Sequence, residues 1–472
     1  MLLRHGAMYL VARGLPGVIS LAAIAIYSRM LSPEAYGQYA LVVASVGLAN
    51  KLVFEWLRLA LLRFLPSYQA QRATFVSTLL AGFFGLALVT AIVGGLALFA
   101  LTDPVARKLA ALALPLLWVQ ALFELHLEMA RSQLSPITYG MMSMTKAVLS
   151  LALGVVLVFA GLGPIALLLG LLIGMLLPLL PPFVRELRLA RTALVDWQLL
   201  TSLSRYGGPL AVTAALGFVI ANSDRFLIAW MLGDEAVGRY AVSYDLANNA
   251  INLLLVTVNL AAYPIVIRAL ERDGPEAARQ QLAKSLTALA AVGLPATAGL
   301  IVVAPNAASV LLGDRFQEDA AGLLRWIAVG ALLSQLRAFY LNLAFQLARY
   351  TVGQMWISVA TVVLNVTLNL WWIPAAGIKG AAYSTVVSYA FSALLTGILG
   401  RGAFRLPAPD RNTVKVTLAT LVMAATVWLA SGRHGMIELG MQIILGGLVY
   451  LFLLWLMDVA GLRSRVLSRS KV

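Results

Sequence analysis

The sequence predicts an all-α integral membrane protein, on three observations. Hydrophobic residues make up 61% of the 472 residues and charged residues only 12%, about half the roughly 25% of a soluble domain. A water-soluble fold of this size cannot bury so much apolar surface. Apolar stretches near the roughly 20 residues that a membrane helix needs recur along the whole chain. They are continuous rather than alternating, which excludes a spanning β-barrel.

The stretches fall near 8–28, 37–60, 74–101, 105–129, 138–160, 163–184, 207–232, 238–266, 282–305, 321–346, 351–373, 377–400, 412–431 and 437–460. That is about fourteen spans. The first follows Arg4 and runs past Pro16 to Tyr27 without a small-residue cleavage site, so it reads as an uncleaved span. The fifth and sixth are joined only by Gly161-Leu162-Gly163-Pro164, a hairpin turn. The longest polar stretches, around 185–206, 267–281, 306–320 and 401–411, leave no room for a soluble catalytic domain. An enzyme is therefore not expected.

Net charge is +15, and there is no cysteine. The basic residues lie between apolar runs, not in a stripe interleaved with aromatics, so nucleic acid is not an expected partner. They mark orientation instead. One set of loops holds about 24 Lys/Arg, among them Arg63, Arg72, Arg185, Arg188, Arg268, Arg272, Arg401 and Arg405; the opposite set holds about eight. Both termini are expected in the cytoplasm.

Met30-Leu31-Ser32-Pro33-Glu34-Ala35-Tyr36-Gly37-Gln38-Tyr39-Ala40 aligns without gaps to Met231-Leu232-Gly233-Asp234-Glu235-Ala236-Val237-Gly238-Arg239-Tyr240-Ala241, with seven of eleven positions identical. Six spans separate the copies. The halves should therefore insert in the same direction, related by a pseudo-two-fold along the membrane normal. The expected organisation is a six-helix lobe at 1–190, a cytoplasmic linker at 191–206, a second six-helix lobe at 207–400, and two further helices with a basic tail at 401–472.

The segment Arg29 to Tyr39 resembles the helix 1–2 signature of polysaccharide flippases, in the multidrug/oligosaccharidyl-lipid/polysaccharide exporter superfamily. Asn222-Ser223-Asp224-Arg225-Phe226-Leu227 with Gly238-Arg239-Tyr240 resembles their helix 7–8 signature. Ile373-Pro374-Ala375-Ala376-Gly377-Ile378-Lys379-Gly380-Ala381-Ala382 resembles that of helices 11–12. The resemblance covers nearly the whole chain. It implies two bundles that move lipid-linked sugars from the inner to the outer leaflet.

Ionisable and amide groups inside apolar spans are the candidate site, because they usually face a cavity or a partner. Lys51 lies 14 residues past Gly37, about 21 Å along a helix. Glu55 and Arg58 follow at i+4 and i+7. On the repeat offset Lys51 corresponds to Asn252. Asp245, Asn249 and Asn252 share a face of the eighth span, and Arg337 sits deep in the tenth. Lys51, Arg58, Asp245, Asn249, Asn252 and Arg337 are the expected substrate contacts. Asp224 and Arg225, inside the seventh span, are candidates for coupling or structure. Pro16 and Pro209 occur early in the first spans of the two halves, where a bend would serve gating. Glu124, Glu128 and Arg131 read as a solvated cluster on their own helix.

His5, His126 and His434 are too scattered for a metal site, and no phosphate-cradling glycine loop with its lysine occurs. No cofactor is expected. The function expected is a flippase for a lipid-linked oligosaccharide, with a polyprenyl diphosphate carrier, in a bacterial cytoplasmic (inner) membrane. Lipids, a polysaccharide polymerase and glycosyltransferases are its expected partners. A cation-coupled multidrug exporter of the same superfamily is the alternative, although the first span carries no Asp or Glu. A membrane polymerase or glycosyltransferase is the alternative from another class.

Overall fold

A computed structural model describes residues 2–133, 135–348, 350–432, 435–461 and 463, without the side chains of residues 2–13 and 351. His434 and the basic tail residues Arg465, Arg469 and Lys471 lie outside the described residues. The described residues are helical or in short connections, with no strand among them.

In chain order the helices are α1 (Leu2–Met30), α2 (Pro33–Val53), α3 (Glu55–Phe64), α4 (Arg72–Ala100), α5 (Pro104–Ser132), α6 (Pro136–Phe159) and α7 (Pro164–Leu189). There follow α8 (Trp197–Leu232), α9 (Asp234–Leu311), α10 (Gln317–Leu336), α11 (Leu343–Leu347), α12 (Thr351–Ala376), α13 (Ile378–Ala403), α14 (Arg411–Ala430) and α15 (Met436–Leu456). Among the described residues, eleven helical segments are long and apolar enough to cross a membrane, and the bent α2–α3 pair makes up to twelve. The protein is thus a multi-pass membrane protein. α9 is continuous over 78 residues except at Gly274, whose φ of 86° breaks the helix. Glycine adopts that angle without the steric strain a side chain adds.

Local chemistry explains where helices begin. Ser32, Asp103, Asp196 and Asp410 each accept a bond from backbone amides in the first turn, which satisfies donors that have no helical partner. Pro33 and Pro104 follow the first two caps, where proline's missing amide is no loss.

The chain forms two compact units, 1–23 with 30–238 and 24–29 with 239–472. In the first, Leu57, Leu61, Phe75, Leu79, Phe83, Leu116, Phe123 and Met175 form the core. α4 turns Leu88, Ile92, Val93, Leu96 and Phe99 outward, as a lipid-facing helix does. α8 packs in this unit against α2 and α3. A Cβ at Gly207 would meet the Trp56 carbonyl, and one at Gly47 the Phe218 ring.

The repeated segments meet within the first unit. A Cβ on Gly37 would collide with the Asp234 carbonyl, and one on Gly238 with the Pro33 carbonyl. Asp234 is the repeat mate of Pro33, so the contact is reciprocal. Neither glycine has a positive φ. Both are needed because two helix starts cross at backbone distance, as small residues allow in membranes.

In the second unit α14 and α15 pack on the later half of α9. Ala290, Val416, Ala419, Met423, Tyr450 and Leu454 share a core there. The Tyr450 hydroxyl donates to the Ala291 carbonyl at 2.8 Å, and Asn306 donates to Gln442 at 3.2 Å.

Candidate functional site: a charged cluster in the first unit

α2 stops at Val53 and α3 starts at Glu55. Between them Phe54 (φ −107°, ψ −18°) ends one helix and begins the next. The chain bends by 50° there. Phe54 is 3% exposed, packed on Phe83. The bend sits inside the charged set.

Glu55 is the hub. Its side chain is 2% exposed. Lys51 Nζ donates to its Oε2 at 2.9 Å, Arg58 Nε to the same oxygen at 3.2 Å, and Arg58 Nη2 reaches Oε1. α5 supplies two more carboxylates. Glu128 accepts from Arg58 Nη1 at 3.3 Å and pairs with Arg131 at 2.8 Å. Glu124 stands 3.6 Å from Lys51 and accepts from Gln120 at 3.0 Å. Lys146, on α6, lies over the Phe123 ring, 5.3 Å from its centre.

Three cations (Lys51, Arg58, Arg131) thus stand with three carboxylates (Glu55, Glu124, Glu128), a balanced set of charges. A lone lysine at a bilayer centre is unfavourable by about 2.5–3.5 kcal/mol; here each of Lys51 and Arg58 has two carboxylates. Lys51, Arg58 and Glu124 remain 22%, 29% and 27% exposed. Arg58 and Glu124 border a small hollow of about 10 Å³ lined by Asn50, Phe54, Glu55, Leu57, Arg58, Phe83, Ala121, Glu124 and Leu125. Asn50 is 1% exposed, and its side-chain Nδ2 has no partner. The unused Asn50 amide and the Arg58 guanidinium in this lining are donors that an oxygen-bearing guest can accept from.

The structure therefore joins Lys51 and Arg58, as the spacing implies. It also corrects one expectation. Glu128 is not solvated on its own helix: its side chain is 7% exposed and it clasps Arg58 across the helix interface. Local i,i+3 spacing to Arg131 accounts for its place on α5 but says nothing of this neighbour. Sequence reasoning missed Lys146 and Asn50, although Lys146 carries the same signal as Lys51, an ionisable group within an apolar stretch, 138–160.

The other candidates lie elsewhere. Asp224 and Arg225 are 1% and 6% exposed on α8. Pro16 lies within α1 and Pro209 within α8. In the second unit, Asp245, Asn249 and Asn252 are half-buried on α9. Arg337 is 9% exposed after α10. Asn365 and Asn369 are fully buried in the α12–α13 seam, where Asn369 bonds Asn365 at 3.2 Å and contacts Ser384. Among the described residues no group of three or more His, Asp or Glu is arranged to hold a metal ion.

Comparison with known proteins places this geometry in context. A family model described as "Polysaccharide biosynthesis protein" matches residues 26–321. The probable low-salt glycan biosynthesis flippase Agl15 of Haloferax volcanii is 23% identical over 253 residues, 53% of this chain and 53% of that protein. The match thus spans about half the length of that relative. The inward closed conformation of the lipid II flippase MurJ superposes with a TM-score of 0.77 at 14% identity, covering 96% of this chain and 99% of that one. An outward-facing multidrug resistance transporter of the MATE family, MOP superfamily, gives 0.60 at 16% identity, covering 85% and 94%. At such identities the structural likeness shows the fold.

Proposed function

Because the chain belongs to the polysaccharide biosynthesis protein family, we propose that it is a flippase for a lipid-linked oligosaccharide. It is a transporter, not an enzyme. It carries the lipid-linked sugar from the inner to the outer leaflet for cell-surface polysaccharide assembly. The observation that carries this reading is the Lys51–Arg58 cluster, a partly exposed set of paired charges inside an apolar bundle.

A polyprenyl diphosphate supplies the matching anion. Its phosphoryl oxygens accept from Lys51, Arg58 and the Asn50 amide. Cation–oxyanion bonds are strong in a low-dielectric site. The amides of Asn249 and Asn252, with Asp245, suit sugar hydroxyls. Transport proceeds by alternating access of two six-helix lobes, with α14 and α15 additional. Asp224 and Arg225 take the coupling role and Pro16 and Pro209 the gating role.

Fourteen spans are the reading of the chain. α1 is one, α2–α3 one bent span, and α9 two, divided at Gly274. With an even number of spans and the Lys/Arg bias, both termini lie in the cytoplasm of an inner membrane. A polymerase and glycosyltransferases are its partners in assembly.

The test is complementation of an export mutant that lacks its flippase. Lys51→Ala abolishes export at wild-type protein abundance. Lys51→Arg keeps part of it, since charge is retained while geometry changes. Full export by Lys51→Ala at wild-type abundance contradicts the reading.

A further inference from the structure

The hollow beside Arg58 is about 10 Å³, room for no more than one water. A phosphate group enters only if part of the lining moves. The lining groups are not held equally. Glu55 is 2% exposed and clasped by two cations, and the uncharged lining residues are all buried. Glu124 is the loosest carboxylate: it is 27% exposed, stands 3.6 Å from Lys51, and otherwise bonds Gln120 on its own helix. A second cation is within its neighbourhood. Lys146 lies over the ring of Phe123, the residue before Glu124, and Glu124 is the carboxylate whose charge acts on it. Among the described residues Lys146 has no hydrogen bond and no carboxylate within ion-pair distance, whereas Lys51, Arg58 and Arg131 each have a carboxylate. Lys146 is half-buried. Its backbone is fixed, because α7 lies so close that a Cβ on Gly174 would meet the Lys146 carbonyl at 3.1 Å; its long side chain is free to turn.

Charged groups inside spanning helices pair with one another, and a carboxylate deprived of its cation there is unfavourable. We infer that Glu124 is a movable carboxylate: it occupies Lys51 while no anionic head group is bound, and it passes to Lys146 when one arrives. Its departure widens the hollow and frees Lys51 for a phosphoryl oxygen. The balance of charge is kept throughout, since one anion replaces another on Lys51 and the displaced one gains the unpaired ammonium of Lys146. Glu55 does not exchange in this way, because two cations hold it in a buried place. Glu124 and Lys146 are positioning residues, which act on the guest through Lys51 without touching it. The inference rests on the reading of Lys51 as the phosphate contact.

The test is calorimetric binding of farnesyl diphosphate, a short polyprenyl diphosphate, to the full chain purified in detergent, with farnesol as the uncharged control. Glu124→Gln removes the competing carboxylate and lowers Kd about threefold, the strength of a partly exposed ion pair. Lys146→Gln raises Kd about threefold, because the displaced carboxylate has no cation to receive it, and Lys146→Arg restores the wild-type value. In the Glu124→Gln background Lys146→Gln has no further effect, since nothing remains to be received. A Lys146→Gln penalty that persists in that background overturns the exchange, because the lysine then meets the diphosphate itself. So does a Kd that is unchanged or raised in Glu124→Gln, and this variant alone decides if those at Lys146 do not fold. The phosphate site is tested separately. Wild type that binds farnesyl diphosphate no better than farnesol, or a Kd unchanged in Lys51→Ala, removes that site and the exchange with it. Binding lost in Lys51→Ala but unchanged in Glu124→Gln keeps the site and overturns the exchange alone.

Discussion

Glu55 is the residue on which the charged cluster depends. It is the most buried member and accepts from both Lys51 and Arg58. Removing one partner of a buried ion set is worse than never having it, because the rest are left uncompensated. Glu55→Gln should therefore lower stability by up to about 3 kcal/mol, read as a lower Tm in detergent. Glu124→Gln should lower it far less, since Glu124 is 27% exposed and 3.6 Å from its cation. Equal losses in the two variants would show that Glu55 is not the hub. Lys51 and Arg58 were legible in the sequence because a charge in an apolar run stands out. Their α5 partners were not, because pairing across helices is decided by packing and leaves no local spacing.

The elements show the same division. The segment around Gly37 was readable as a repeat of that around Gly238, and glycine's permissiveness was readable with it. Which permission mattered was not: the backbone is ordinary, and closeness of approach decides. Gly37→Leu and Gly238→Leu each drive a side chain into a carbonyl of the other segment. Each should lower stability by about 1–3 kcal/mol, the usual range for overpacking, seen as lost folded protein on a size-exclusion profile. Wild-type yield from both would contradict the crossing. The 50° bend at Phe54 was also invisible, since no Pro or Gly marks it; tertiary packing on Phe83 holds it.

Asp410 caps α14 at the membrane edge. Burial pushes its carboxyl upward, but bonds from the Thr413 amide and hydroxyl, from Thr287 and from Asn412 outweigh this and hold it below the ordinary carboxylate value. A depressed folded value gives stability that is complete above the unfolded value, near pH 4, and lost as pH falls through the folded one. Asp410→Ala should lower stability by about 1 kcal/mol at pH 7. The gap to wild type should narrow in melting curves taken below about pH 4. A gap that widens with acid would contradict this cap.

At the scale of the whole molecule, composition already decided the solvent, and with it the helical class. The family resemblance rested on three short segments, and a family match over 26–321 supports it. The division of α9 into two spans was legible too, since the polar stretch 267–281 separates 238–266 from 282–305 and Gly274, within it, breaks the helix. Reporter fusions after residue 315 and at the C-terminus should report opposite sides of the membrane, as the Lys/Arg bias requires. Matching reports would break the fourteen-span reading.

The most direct measurement is transport by the purified chain in proteoliposomes. A fluorescent polyprenyl-diphosphate oligosaccharide is placed in both leaflets, and a membrane-impermeant quencher reads the outer share over time. Wild type should make the inner-leaflet pool quenchable well above the rate of empty vesicles. Lys51→Ala, incorporated to the same level, should fall to the empty-vesicle rate. Wild-type vesicles no faster than empty ones, or Lys51→Ala as fast as wild type, would contradict a flippase working through this cluster.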